Sequence, residues 1–127
     1  MVQLARSTFL AAAVCAICLV VTALAFHHAS LNHATPASWH VASALMAAGV
    51  LIVAAFLARL SGSLVLELAA AGVAGGLLAN SLVAGAAGGV ADFVHAGGWI
   101  YSPGDLAVIG GTVLLALGTA TAALRVR

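Results

Sequence analysis

Four long apolar runs fill most of this chain and leave little freedom in how it can fold. They cover residues 8–26, 41–58, 64–83 and 106–124, each close to the ~20 residues a helix needs to cross a bilayer core. The runs are continuous and rich in Ala and Leu, which excludes the alternating strands of about 10 residues that build an outer-membrane barrel. The expectation is therefore an all-α fold: one membrane domain, 1–127, holding an integral bundle of four transmembrane helices. Composition agrees, since 65% of the 127 residues are hydrophobic and 6% are charged, against about a quarter charged in an ordinary soluble domain.

The turn Leu60-Ser61-Gly62-Ser63 is short enough to make the second and third helices antiparallel neighbours. Two longer outer segments, 27–40 and 85–104, join the remaining helices. Pro36 breaks any helix in the first, Gly85 to Gly89 are expected to loosen the chain leading into the second, and 91–101 reads as a loop or a short surface helix. Ala23-Leu24-Ala25 also has the form of a signal-peptide cleavage site, but removing the first run would leave three spans.

Charge placement orients the bundle. The only basic residues are Arg6, Arg59, Arg125 and Arg127, with no lysine. All four fall on one side if both termini are cytoplasmic, as the positive-inside rule asks. The other side then carries the aromatic belt residues Trp39, Trp99 and Tyr101, all five histidines and both aspartates. Four scattered cations make no nucleic-acid surface, so the expected surroundings are membrane lipids, with the oligomeric state left open.

Few polar residues interrupt the spans. Cys15 and Cys18 sit one turn apart in apolar surroundings and read as packing residues. Glu67 falls in the first turn of the third helix, where the helix dipole favours an acid, with Arg59 as its expected partner. Gly72 and Gly76 form a small-residue pair that lets another helix approach closely, and Asn80 continues the same face toward the bundle interior.

Asp92 and Asp105 bracket the second outer segment. Acids are costly in a membrane protein unless used or solvated. Two carboxylates facing one water cannot both ionise cheaply, so one keeps a proton while the other acts as base. A simpler reading also fits: Ser102-Pro103-Gly104-Asp105 has the form of a helix start, with Ser102 as N-cap and Asp105 as the acid of a capping box.

The stretch from Gly75 to Gly118 resembles the C-terminal half of the lipoprotein signal peptidase (signal peptidase II) family, as a divergent member. The matching residues are Gly75, Gly76, Asn80, Gly88, Val90-Ala91-Asp92-Phe93 and Asp105-Leu106-Ala107. The chain departs from the family at Val83-Ala84, where relatives carry Asp-Arg, and at Ser102, where they carry Asn; 27–40 holds no counterpart of the family's Asn-x-Gly-Ala-Ala. The resemblance implies an intramembrane aspartic endopeptidase that removes signal peptides from lipidated prolipoproteins, with Asp92 and Asp105 catalytic, Asn80 supporting, and no cofactor or metal. Gly72, Gly76, Gly110 and Gly111 are the expected lining of a groove for the substrate's signal peptide. Two alternatives stay open: a degenerate relative that binds lipopeptide or partners without cleaving, and a metal-binding membrane protein using His27, His28, His33, His40 and His95 with the aspartates.

Overall fold

The computed structural model describes residues 2–33 and 38–125. Four long helices dominate: α1 (Val2–Ala25), α2 (Ser38–Ser61), α3 (Leu64–Ala87) and α4 (Pro103–Arg125). The protein is an all-α bundle, and each of the four helices is long and apolar enough to cross a membrane. Their outward faces carry residues such as Phe9, Ile17, Ile52, Phe56 and Leu117, all more than half exposed. Apolar exposure on this scale suits lipid, which solvates such side chains as well as a protein core does.

α3 is the centre. Half of its span is buried inside the protein, against 17–28% for the other three, and it packs on α1, α2 and α4. The sequence allows this because α3 is lined with Ala and Gly on more than one face. A side chain at Gly75 would run into Ala11 O and the Val14 side chain of α1, whereas one at Gly72 would meet Ala107 O and Gly111 Cα of α4 at 3.0 Å. In lipid, helices are held by such close approach rather than by hydrophobic exclusion. The Gly72/Gly76 pair thus has a definite partner, α4.

α2 and α4 extend past both ends of their expected spans and α1 past its start, because helical hydrogen bonding continues through polar residues beyond the apolar core. α3 runs four residues further than expected. The chain does not loosen at Gly85: the helix continues to Ala87 and stops at Gly88, whose φ of 77° is left-handed and whose N–H bonds to Ala84 O, a standard glycine helix end. At the other end Ser63 caps α3, its hydroxyl accepting from the Leu66 N–H.

The outer segments hold strands, correcting the loop or surface helix expected at 91–101. Strand β1 (Ser30–Asn32) pairs antiparallel with β2 (Val90–Asp92), with Ser30 opposite Asp92 and Asn32 opposite Val90. Strands β3 (Val94–Ala96) and β4 (Trp99–Tyr101) form a hairpin. Its loop is Gly97-Gly98, with φ of 57° and 83°, the two positive angles of a type I′ turn. β-branched and aromatic residues on both sides of that Gly-Gly favour strand over helix.

Glu67 is fully buried, and its partner is Arg6 of α1 rather than Arg59. Arg59 is exposed near the end of α2, while α1 runs beside α3 and brings Arg6 to the carboxylate. An ion pair so placed ties the two helices together at the end of the bundle away from the strands.

Candidate functional site

The site forms where the strands meet the bundle. Ser102 N–H donates to Asp105 Oδ2 at 3.0 Å, and Asp105 N–H donates to Ser102 Oγ at 3.0 Å. This reciprocal pair is the capping box expected from the sequence. It occupies only one oxygen of Asp105; the other, Oδ1, accepts from Asn80 Nδ2 at 2.8 Å. Asn80 is held in turn, because its Oδ1 accepts from the Ser102 hydroxyl at 2.8 Å. Ser102, Asn80 and Asp105 therefore form a closed polar triangle joining α3 to the start of α4, and both carboxylate oxygens of Asp105 face N–H donors.

Gly104 makes the triangle possible. A Cβ at this position would lie 2.6 Å from Asn80 Cγ and 2.7 Å from Gly76 O, so any side chain would displace the amide. Cys18 closes the other side, its Sγ 3.6 Å from Pro103 O.

Asp92 arrives by a separate route, at the end of β2. It is 9% exposed, and its Oδ2 accepts from Asn32 Nδ2 at 3.4 Å. Its Oδ1 is buried without a hydrogen-bond partner among the described residues. Burial pushes the Asp92 carboxyl above its ordinary value, the negative charge of Asp105 pushes it further, and the Asn32 amide opposes both. Desolvation and a like charge both favour the neutral acid.

Asp92 and Asp105 line one cavity of about 200 Å³, together with Asn80, Asn32, Leu77, Ser81 and Val90. Trp39, His40 and Ser43 of α2 form the facing wall. Of the expected site residues, then, the two aspartates and Asn80 share this space. The expected groove residues do not. Gly72, Gly76 and Gly111 are filled by the α3–α4 contact, where a Cβ at Gly111 would sit 2.6 Å from Ala69 O and Val73 N, and Gly110 has nothing within 4 Å of its Cβ direction. The small residues bring two helices together and leave no channel between them.

Asn32 was legible only as a polar residue in an outer segment. The β1–β2 pairing carries it to Asp92, helped by Gly89, where a Cβ would lie 2.9 Å from Asn32 O. His40 and Ser43 did have a signal: they are three residues apart at the polar start of an apolar helix, and that spacing puts them on one face.

The histidines disperse. His33 Nδ1 donates to Gly88 O at 2.8 Å, His95 Nδ1 lies 3.2 Å from Phe93 O, and the rings of His27 and His28 pack against each other. Among the described residues no three His, Cys, Asp or Glu side chains converge on a point that could hold a metal ion. Among the described residues the metal-centre alternative lacks a ligand set, because the histidines sit on separate elements: His27 and His28 in a turn after α1, His33 after β1, His40 in α2 and His95 in β3.

Comparison with known protein families, with curated proteins and with solved structures returns no match for this chain.

Proposed function

We propose that the protein is an intramembrane aspartic endopeptidase of the signal peptidase II kind. The observation that carries this reading is the meeting of Asp92 and Asp105, from different elements, on one cavity, with Asp92 biased toward its protonated form by burial and by its neighbour's charge. That is the asymmetry an aspartyl dyad needs.

In this mechanism Asp105 is the base and Asp92 the acid. Water in the cavity gives a proton to the Asp105 carboxylate as its oxygen attacks the scissile carbonyl carbon, while Asp92 donates its proton to the carbonyl oxygen. The resulting gem-diol collapses: the C–N bond breaks, the departing nitrogen takes the proton from Asp105, and the re-forming carbonyl returns a proton to Asp92. The dyad ends as it began. Asn80 and Ser102 keep Asp105 aimed at the water, and Asn32 does the same for Asp92.

By the resemblance, the substrate is a diacylglyceryl-modified prolipoprotein cut on the N-terminal side of its lipidated cysteine. The signal peptide lies beside the cavity lined by α2, α3 and the start of α4 rather than between the glycines, which the α3–α4 contact fills. Both termini are cytoplasmic and the aspartates face the outside of the cell membrane. Val83 and Ala84 supply none of the charge that relatives place after the Asn, so the triangle of Ser102, Asn80 and Asp105 carries the orientation of the base alone.

The test is processing of a prolipoprotein in cells lacking their own enzyme, with the product read by mass spectrometry. The protein should restore cleavage, and Asp92→Asn and Asp105→Asn should each abolish it. An uncut precursor with well-expressed protein and several substrates would sink the peptidase reading and leave a relative that binds lipopeptide without cleaving it.

A further inference from the structure

We propose that His40, with Ser43 one turn further along α2, is a substrate-binding residue that hydrogen-bonds the main chain of the peptide held against the aspartates. This inference deepens the peptidase reading and rests on it. The cavity has two unlike walls. On one, Asp105 and Asn80 are satisfied by each other and by Ser102. On the other, His40 and Ser43 make no hydrogen bond with any described residue, though both line the cavity.

Their placement is specific. After Ser43, α2 carries no polar side chain until Arg59, and its neighbours Val41, Leu45 and Met46 are well exposed on the outward surface. Polar groups in an apolar helix need partners, since an unsatisfied donor or acceptor away from water is costly. Here the imidazole and hydroxyl of the helix line the cavity, where the buried Oδ1 of Asp92 also has no partner among the described residues. A peptide in extended form presents N–H and C=O groups on both edges. One edge can face the aspartates while the other meets His40 and Ser43, so the same wall that completes the peptide's hydrogen bonds also fixes its distance from the dyad.

Main-chain recognition makes a specific forecast. A contact present equally in ground and transition states changes KM and leaves kcat alone. With purified protein in lipid vesicles and a synthetic diacylglyceryl peptide as substrate, His40→Leu should raise KM about tenfold, the order expected for one lost hydrogen bond, with kcat within about a factor of two. His40→Gln keeps a donor and an acceptor at similar reach and should restore most of the affinity. The same peptide is titrated against Asp92→Asn protein by fluorescence anisotropy, which reads binding without turnover. There His40→Leu should weaken the dissociation constant by the same factor.

Cleavage by the wild type with KM and affinity unchanged in His40→Leu would overturn this inference and leave the peptidase reading standing. So would a loss that His40→Gln fails to repair, which is the mark of a packing role. Absence of both cleavage and binding in otherwise folded protein would overturn the peptidase reading and this inference with it. Binding without cleavage, weakened by His40→Leu and repaired by His40→Gln, would support the peptide wall while refuting the dyad chemistry.

Discussion

Replacing Gly76 by alanine tests whether the α3–α4 contact is what keeps the site in register. The added methyl would press on Gly104 O, lie 2.9 Å from Val108 Cγ2 and 3.1 Å from Ala107 Cβ, where ordinary contact begins at 3.4 Å. One of these atoms is backbone, so the helices themselves must part, by about 0.5 to 1 Å. Asn80 lies one turn along the same face, and its 2.8 Å bond to Asp105 would stretch toward about 3.5 Å or more, the limit of hydrogen bonding. Overpacking costs ~1–3 kcal/mol, and losing a hydrogen bond to a charged group costs ~1.5–3 kcal/mol. With partial relaxation of both, Gly76→Ala should destabilise the bundle by about 2–4 kcal/mol. Gly110→Ala is the control: it meets nothing within 4 Å and should stay within about 0.5 kcal/mol of the parent. Reversible unfolding in mixed micelles measures both, and prolipoprotein processing reads the site. If the two variants unfold alike and Gly76→Ala cleaves normally, the close contact does not hold Asn80 on Asp105.

Four further outcomes follow from particular side chains. Arg6→Ala removes a half-exposed cation from the buried Glu67 and should destabilise by ~1–3 kcal/mol, the order of one hydrogen bond to a charged group, whereas Arg59→Ala should change unfolding little. Ser102→Ala deletes the N-cap hydroxyl of α4 and the donor to Asn80, and should cost ~1–2 kcal/mol in the same unfolding assay. Asp92, whose folded-state value is raised above 3.8, holds its proton in the folded protein to higher pH than in the unfolded chain. Stability conferred by that group therefore falls as pH rises from 3.8 through the raised value. Thermal unfolding of Asp92→Asn should match the parent below that window and gain on it as pH climbs; a gap that shrinks with pH would contradict the burial and charge argument. Cleavage, finally, should survive chelators, because the proposed chemistry needs only the two carboxyls and water; loss of processing with EDTA, restored by added metal, would refute it.

The class of fold was written in the sequence because membrane-spanning helices need only local information: length, apolar continuity and the placement of a few charges. The capping box at Ser102 and Asp105 was equally local, as was the small-residue pair at Gly72 and Gly76. Neither said which helix would fill the gap at the glycines. Packing α4 on that face turned an expected groove into a contact, since shape complementarity between helices depends on both surfaces at once. Glu67 found Arg6 rather than Arg59 for the same reason, because a partner 61 residues away is set by which helices lie side by side. The bond from Asn32 to Asp92 depends on the pairing of two three-residue strands, too short to read without each other. Sequence alone determined four apolar helices and the two aspartates beside them; tertiary packing decided that those aspartates share a cavity, that Asn32 reaches one of them, and that His40 of α2 lines the same cavity.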